Sequence, residues 1–555
     1  MGAEFYRVGE TTLQAYNYVR GSCVYGVMPC NGLLYKSADS CCCYYQSKLE
    51  YFCALSPASG LVAKPKEEDR LEKGPAYGDV AAGNTQAPDA AWPMYRGDPE
   101  RSGSSRASVP DGLKQAWTVD LGGKLTQPVL ADGKVLVSSV HRQTLYALDA
   151  SSGKPRWTFV AGGRIDSAPT VHAGAVFFGC ADGWVYCLRA ADGVLAWRYQ
   201  VALADRQMVS HNQVESIWPV HGSVLVAGGS LYALAGRNMF FDSGMRLVRL
   251  DPKTGRKLSE NIMDDKDPAT GKNLQTLITA KYMPVANPDI FSSDGERLYM
   301  QEQNFDMEGK RLGIAPTVPK AGTKTATGKP HLFCQTGLLD DVWFHRSYWL
   351  YGNDCCEGWG SYFKTRNMVP SGRLLAFDDT RIYGYRTEPL GNMLHPRTTY
   401  KLYAADKVPA PVAPPPAETP KKAKAGSARA GRTKASRGRA FAQHWEVETP
   451  GLLANAMVLA GKRLLVAGPP DVADETKMLG YLPGARDDIN RQLQAQNDAW
   501  LGKRGGQLWM VDTEDGRKVA AYPLSSIPVF DGMAVGQGKI LLSLTSGQVV
   551  CFGSQ

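Results

Sequence analysis

The chain has 555 residues, of which 43% are hydrophobic and 21% charged, a composition typical of globular proteins. It contains no run of about 18 apolar residues, which excludes a helical membrane span. The formal net charge is +9, but residues 421–439 alone carry eight basic and no acidic residues. The rest of the chain is therefore near neutral, and a general surface for nucleic acid is not indicated.

The first part of the chain differs from the rest in its cysteine content. Six of the twelve cysteines lie before residue 60, at Cys23, Cys30, Cys41, Cys42, Cys43 and Cys53. No pair has the Cys-x-x-Cys spacing of zinc sites, so we predict no metal site, and the disulfide state stays open. We predict a separate Cys-rich segment over 1–59, the remnant of an upstream unit. The polar, Ala/Gly/Pro-rich residues 60–91 are predicted to be a linker.

An internal repeat begins after this linker. Trp117, Trp157 and Trp197 are spaced 40 residues apart, and so are Gly153 and Gly193. Between these anchors, TQPVLADGKVLVSS aligns with SAPTVHAGAVFFGC, and each copy reads as short strands separated by Gly-containing turns. A period of about 40 with several strands and no helical pattern is typical of a propeller blade.

Weaker copies continue to the end of the chain, with QLWMVDTEDGRKVAAYPL (507–524) the clearest. The last copy, 536–553, lacks a closing strand, and residues 115–121 form a strand without a blade of its own. We therefore predict an all-β chain with a single propeller over 92–555, closed by pairing of these two ends. About eight four-stranded blades are expected, with seven as the alternative.

Two insertions interrupt the repeats. Residues 407–440 are rich first in Pro and Ala and then in Lys and Arg, which predicts a disordered basic insertion. DDINRQLQAQNDAW, within 475–503, predicts a short helix inserted into a blade.

The blade ends resemble the tryptophan-docking motif of pyrroloquinoline-quinone (PQQ) repeats, Ala-x-Asp-x-x-x-Gly-x-x-x-Trp. The matching positions are Ala147, Asp149, Gly153 and Trp157, then Gly193 and Trp197, and finally Asp512 and Gly516. The chain as a whole resembles bacterial PQQ-binding-like β-propeller repeat proteins of the quinoprotein alcohol dehydrogenase-like superfamily, including its opening WPMYRGDPERSG (92–103). The resemblance implies that the Trp packs on a neighbouring blade, that the chain is truncated, and that the protein lies in the periplasm or cell envelope. No signal-peptide pattern is visible.

Polar and aromatic residues that interrupt the repeats are candidates for a ligand site at one mouth of the channel. They are Arg164 and Asp166; His211, Glu215, Trp218 and His221; and Asp341, Trp343, His345, Arg346 and Tyr348. Arg, carboxylate, His and Trp together suit a planar anion or a sugar. The alternatives are a salt bridge that pins a loop, for Arg164 and Asp166, and core aromatics, for residues 343–349.

Three functions remain open. The first is a binding scaffold for a protein partner or small ligand, expected to be a monomer and not an enzyme, since no catalytic motif is visible. The second is an oxidoreductase with PQQ and calcium as cofactors, which the resemblance implies through the adjacent Cys355 and Cys356. The third is a carbohydrate-recognising propeller that uses Asp166 and Glu215 as paired carboxylates.

Overall fold

The computed structural model describes residues 2–11, 13–21, 25–37, 49, 52–57, 65–80, 91–277, 284–313, 329–334, 349–352, 369–390, 397–407, 441, 443–448, 450–474 and 487–554. Part of the basic insertion, residues 408–440, lies outside them. The predicted inserted helix is present as α1, Asp487–Trp500. In the described part of the chain, short 3₁₀ turns cover Glu67–Asp69, Val140–Arg142 and Leu274–Leu277.

The strands before the repeats are short. Two small antiparallel sheets contain β1 (Ala3–Tyr6) and β2 (Leu13–Tyr16), then β3 (Val27–Cys30), β4 (Leu33–Lys36) and β5 (Cys53–Leu55). Tyr18 stacks on Phe240 with ring centroids 4.6 Å apart, so this segment packs on the repeats. Three further strands, β6 (Leu71–Lys73), β7 (Ser104–Ser105) and β8 (Lys114–Asp120), each add to a later sheet.

The described residues of the first half of the repeats form four sheets and one hairpin. The sheets are β9 (Val129–Ala131), β10 (Lys134–Ser139), β11 (Thr144–Asp149), β12 (Pro155–Val160); β13 (Thr170–His172), β14 (Ala175–Gly179), β15 (Trp184–Arg189), β16 (Leu195–Gln200) with β6; β19 (Leu225–Ala227), β20 (Ser230–Ala235), β21 (Met245–Leu250), β22 (Lys257–Met263); and β23 (Ser292–Ser293), β24 (Leu298–Met300), β25 (Gln303–Phe305), β26 (Arg311–Leu312). The hairpin is β17 (Gln207–Ser210) and β18 (Gln213–Ser216).

The second half forms four more sheets among the described residues. They are β27 (His331–Cys334), β28 (Trp349–Gly352), β29 (Ser371–Gly372); β30 (Leu374–Phe377), β31 (Arg381–Leu390), β32 (Arg397–Asp406), β33 (Gln443–Glu448); β34 (Ala456–Ala460), β35 (Arg463–Gly468), β36 (Gly506–Asp512), β37 (Lys518–Leu524) with β7; and β38 (Pro528–Gly536), β39 (Lys539–Leu544), β40 (Gln548–Gly553) with β8.

The all-β propeller prediction is confirmed. Sheets follow one another along the chain, and the first strands of neighbouring sheets contact each other, including β38 and β9. Strand β8 pairs antiparallel with β40, with Trp117 opposite Cys551. The number of blades and the closure of the ring stay predictions.

Each repeat Trp lies against a Gly of the following repeat. Trp157 donates through Nε1 to the Ala190 carbonyl at 3.2 Å, and a Cβ built on Gly193 would lie 2.5 Å from its ring. Ala147 pairs with Trp157 across the strands, and the Asp149 and Asp512 carboxylates accept backbone N–H groups in their turns. The same Trp–Gly contact joins Trp117 to Gly153, Trp197 to Gly255 and Trp445 to Gly516.

A single stretch, residues 92–105, runs along the first strands; we call it the central segment. Its carbonyl groups accept hydrogen bonds from first-strand N–H groups of five sheets, at Leu130, Val171, Ser293, Phe377 and Leu459. Two of its side chains bind the carboxylate of Asp531, which lies in β38 of the last sheet. Arg96 Nη1 donates to both Asp531 oxygens at 2.8 Å, and the Tyr95 hydroxyl donates to Asp531 Oδ2 at 2.9 Å. Arg96 and Asp531 are both buried. The central segment therefore connects sheets that are far apart in sequence.

Removing the buried carboxylate should be costly. We expect Asp531→Ala to lower the free energy of unfolding by about 3–5 kcal/mol, because it leaves the Arg96 guanidinium buried without its partner. Urea denaturation measures this change. The matched control is Asp515→Ala in the exposed Asp515–Arg517 pair, which should cost less than about 1 kcal/mol. Equal effects of the two substitutions would contradict the role given to the central segment.

The Trp–Gly contacts give a second prediction. Gly193 has φ +76°, and an alanine there would collide with Trp157 as well as strain the backbone. We expect Gly193→Ala to lower the free energy of unfolding by about 3 kcal/mol or more. Gly133→Ala is the control, since Gly133 has φ +70° and nothing within 4 Å of its Cβ position. Backbone strain alone, about 1 kcal/mol, is expected there, and a loss as large as that of Gly193→Ala would refute the packing explanation.

Candidate functional site

The predicted residues of the first two groups meet at one end of the first strands. Arg164 and Asp166 lie in the loop before β13, whereas His211, Glu215, Trp218 and His221 lie between β16 and β19. The long connection before β19 contains the hairpin of β17 and β18, which places Glu215 over the loop that carries Arg164. The two groups are 40 to 60 residues apart in sequence, and the adjacency of their sheets brings them together.

Glu215 is the centre of the first half of this cluster. Its Oε1 accepts from Arg164 Nε at 2.8 Å, and its Oε2 accepts from Arg237 Nη2 at 2.9 Å. Burial would raise the pKa of Glu215, but the hydrogen bonds and charges of the two arginines lower it below its ordinary value. The buried carboxylate is therefore held as an anion between two cations.

Asp166 is the centre of the second half. Its Oδ2 lies 2.7 Å from His221 Nδ1, its Oδ1 accepts the Gly222 N–H at 3.1 Å, and Arg164 Nη1 lies 3.8 Å away. Burial opposes ionisation, but the hydrogen bond and charge of His221, with the charge of Arg164, lower the pKa of Asp166 to about 2. The loops before β13 and β19 are thereby joined.

His211 and Trp218 have different surroundings. His211 lies in the hairpin turn with φ +50°, and its Nδ1 is 3.3 Å from Arg164 Nη2. Partial burial, followed by the charge of Arg164, lowers its pKa. Trp218 is buried and donates through Nε1 to the Asp242 carbonyl at 2.7 Å, so its indole packs in the protein and offers no stacking face to a ligand.

Sequence reasoning missed Arg237. It follows β20, in GRNMF, where neither the repeat nor a known motif marks it. Its Nη2 also donates to the Ser216 carbonyl at 3.1 Å, at the base of the hairpin. A basic residue just after a strand is common, and nothing in the sequence indicates that Arg237 contacts the buried Glu215.

The third predicted group lies outside the described residues: Asp341, Trp343, His345, Arg346 and Tyr348, and also Cys355 and Cys356. The adjacent Trp349 is described. It is buried in β28, and the guanidinium carbon of Arg96 lies 4.9 Å from its ring centroid. Trp349 therefore contributes to the packing around the central segment.

Glu215 does not fit a calcium ligand, and Asp166 and Glu215 do not fit acid–base attack on a sugar. Calcium needs several available oxygen ligands, but both Glu215 oxygens are bound by arginines. No group of three or more His, Cys, Asp or Glu side chains suited to a metal ion occurs in the described part. Asp166 and Glu215 both have lowered pKa values, whereas a glycosidase acid needs a raised one.

A cavity of about 930 Å³ lies at the opposite end of the first strands. It is bounded by the central segment and by the turns that follow the first strands, at Asp132, Ala173, Gly228, Asp294, Asp378 and Gly461. None of the described predicted site residues lines it. The charged cluster therefore joins loops at one end of the first strands, while the open volume is at the other.

The Asp166–His221 pair predicts a pH-dependent stability. Because the pKa of Asp166 is below the unfolded value of about 3.9, its contribution of about 2.6 kcal/mol is complete above about pH 5 and is lost progressively as the pH falls through 2. The stability difference between the wild type and Asp166→Asn, from urea midpoints, should therefore shrink between pH 5 and pH 2.5. The control is Asp205→Asn, at an exposed position. A difference that does not change with pH would contradict this pairing.

Comparisons with known proteins agree with the repeat pattern. Residues 106–300 match the family described as "Outer membrane protein assembly factor BamB". BamB of Vibrio cholerae is 26% identical over 163 residues, 28% of this chain and 39% of that protein. The quinoprotein ethanol dehydrogenase of Pseudomonas aeruginosa is 27% identical over 168 residues, 26% of this chain and 25% of that protein.

The match therefore spans well under half the length of these curated relatives. A solved quinohemoprotein alcohol dehydrogenase from Pseudomonas putida is 12% identical, covers 84% of this chain and 80% of its own, and has a TM-score of 0.48. The predicted resemblance to PQQ-like β-propeller repeat proteins is confirmed, and residues 106–300 carry a repeat domain of this kind.

Proposed function

We propose that this protein is a binding scaffold that holds an extended segment of a protein partner on the hairpin of β17 and β18. The observation that carries the proposal is an exposed apolar pair on a hairpin whose base is held by buried ion pairs. Val209 and Val214 lie directly opposite each other on the two strands and are 75% and 58% exposed. Exposed valines facing each other on a small sheet are a typical contact for another protein.

The two faces of the hairpin have different partners. Met208 and Glu215 form the next cross-strand pair and so lie on the face opposite the valines. On that face Glu215 binds Arg164 and Arg237, and Gln213 donates to the His141 carbonyl at 3.0 Å. The propeller thus holds Glu215 and Gln213 on one face, although Met208 on that face is 41% exposed, and leaves the two valines on the other face to solvent. A preorganised surface lowers the entropy cost of binding.

The hairpin also offers a strand edge. It forms a two-stranded sheet, and no described strand pairs with the outer edge of β17. Strand β17, Gln207–Ser210, contains neither the Lys nor the Pro with which proteins often block such edges. An extended partner segment can add to this edge through main-chain hydrogen bonds and place apolar side chains beside Val209 and Val214.

The relatives support a partner in the cell envelope. The matching family and the Vibrio cholerae relative are described as outer membrane protein assembly factors. We extend this to the present chain as part of the proposal: a protein partner, and a location in the envelope. Among the described residues, no helix is long and apolar enough to cross a membrane.

A site-specific crosslink tests the proposal. A photoreactive benzoylphenylalanine in place of Val209 should give one discrete adduct with an envelope protein in cells, because this side chain lies on the proposed contact. The matched control places the same residue at Val519, an exposed valine on β37 of a distant blade, and should give no adduct. Adding Val214→Glu to the Val209 variant should reduce the adduct at least about tenfold, as loss of a central apolar contact does.

The outcomes separate the alternatives. Because Val214 is exposed, the melting temperature of the Val214→Glu variant should stay close to that of the wild type. No adduct from position 209, equal adducts from 209 and 519, or an adduct insensitive to Val214→Glu would each overturn the assignment of the hairpin as the docking element.

A further inference from the structure

A second feature lies away from the hairpin, on the third sheet: an arginine buried without a partner. Arg246 in β21 is 4% exposed, and its Nε is buried without a hydrogen-bond partner among the described residues. Arg249, three residues along the same strand, donates through Nε to Ser230 Oγ at 2.9 Å. The isolation of Arg246 is therefore a property of its position, not of the strand.

Arg246 lines a cavity of about 540 Å³. The cavity lies between the segment that begins at Pro65, the loop at Ala202 and Leu203, and strands β21 and β22. Its volume falls in the ordinary range of small-molecule sites. Residues 65–70, predicted to be linker, thus form one wall of it.

The other charges of the cavity are already paired. Glu260 accepts from Arg70 Nη1 at 2.7 Å and from Lys257 Nζ at 2.9 Å. Glu67 accepts from Lys257 Nζ at 2.6 Å and from the Tyr199 hydroxyl at 2.9 Å. Among the residues that line the cavity, three cations, Arg70, Lys257 and Arg246, thus face two carboxylates. The charge of Asp264, outside this lining, also acts on Arg246.

A buried, unpaired guanidinium is costly, since burial disfavours its charge and its N–H groups lose water. Burial accordingly lowers the pKa of Arg246, against the opposing charge of Glu260. Buried charges without partners are typical of sites at which a ligand supplies the counter-charge. The lining around Arg246 also includes apolar side chains, Leu203 and Ile262.

We propose that this cavity binds a small monoanionic amphiphile, a carboxylate on a short hydrocarbon chain. The carboxylate accepts from the Arg246 guanidinium, whose planar donors match its two oxygens. The hydrocarbon chain lies against Leu203 and Ile262. One negative charge is enough, because Glu67 and Glu260 neutralise the other two cations.

Calorimetric titration of the full chain with hexanoate tests this, at constant ionic strength. We expect saturable binding of hexanoate and none of hexanol, which has the chain without the charge. Arg246→Met should weaken hexanoate binding at least about tenfold, the effect of losing a charged hydrogen bond. It should also raise the melting temperature without ligand, because it removes an unpaired buried charge and keeps an apolar side chain of similar length. Arg249→Met is the matched control and should leave hexanoate affinity unchanged.

A second variant keeps the test decisive if Arg246→Met does not fold. Ile262→Glu places a negative charge at a half-exposed position in the cavity wall and should abolish hexanoate binding in a folded protein. No saturable hexanoate binding by the wild type, equal binding of hexanol, or undiminished binding by Arg246→Met or Ile262→Glu would each overturn the proposal. Neither substitution lies in the hairpin of β17 and β18, so this test is independent of the partner proposed above.

Discussion

The buried ion pair of Arg96 and Asp531 is the interaction on which the arrangement of the sheets depends. A buried ion pair stabilises a protein only when its geometry is good and its remaining polar atoms are satisfied. Both conditions are met, since Asp531 also accepts from Tyr95, and Arg96 donates through Nε to the Arg101 carbonyl at 2.9 Å and through Nη2 to the Leu375 carbonyl. The Arg96 backbone N–H donates to Gln127 Oε1 at 2.7 Å. Gln127 Nε2 in turn donates to the Asp531 carbonyl at 2.6 Å. The pair therefore fixes the central segment in one position, and that segment joins the first strands of sheets that are far apart in sequence.

The charged side chains that suggested a ligand site bind each other and join two loops. Arg, His and carboxylate side chains before β13 and β19 were candidates for binding an anion, but Arg164 is taken by Glu215, and Asp166 by His221. Their lowered carboxyl pKa values follow from this internal pairing. The pairing holds the base of the hairpin, and the binding surface that we propose lies on valines that no sequence motif marks.

The sequence predicted contacts that recur from repeat to repeat, but not single contacts between residues far apart in the chain. The Trp117–Gly153 contact recurs 40 residues later as Trp157–Gly193, so spacing revealed the repeat, and the resemblance to PQQ repeats implied that the Trp packs on the next blade. The Tyr95–Asp531 bond joins residues 436 positions apart and occurs once, so WPMYRGDPERSG could be noted only as a resemblance. The three-residue strand Leu71–Lys73 is too short to show any periodicity, and Arg237 occupies an unrepeated position. Periodic contacts were predictable, and single long-range polar contacts were not.

Arg96 and Arg246 are both buried arginines, but their surroundings differ. Both guanidinium groups are almost fully removed from water. Arg96 has carboxylate, carbonyl and aromatic partners from three parts of the chain, so its burial serves the fold. The Arg246 Nε has no hydrogen-bond partner among the described residues, and apolar side chains and an open volume lie beside this arginine. A fold that satisfies one buried arginine so completely has no structural need for a second one left unpaired, and that contrast is the argument for a ligand at Arg246.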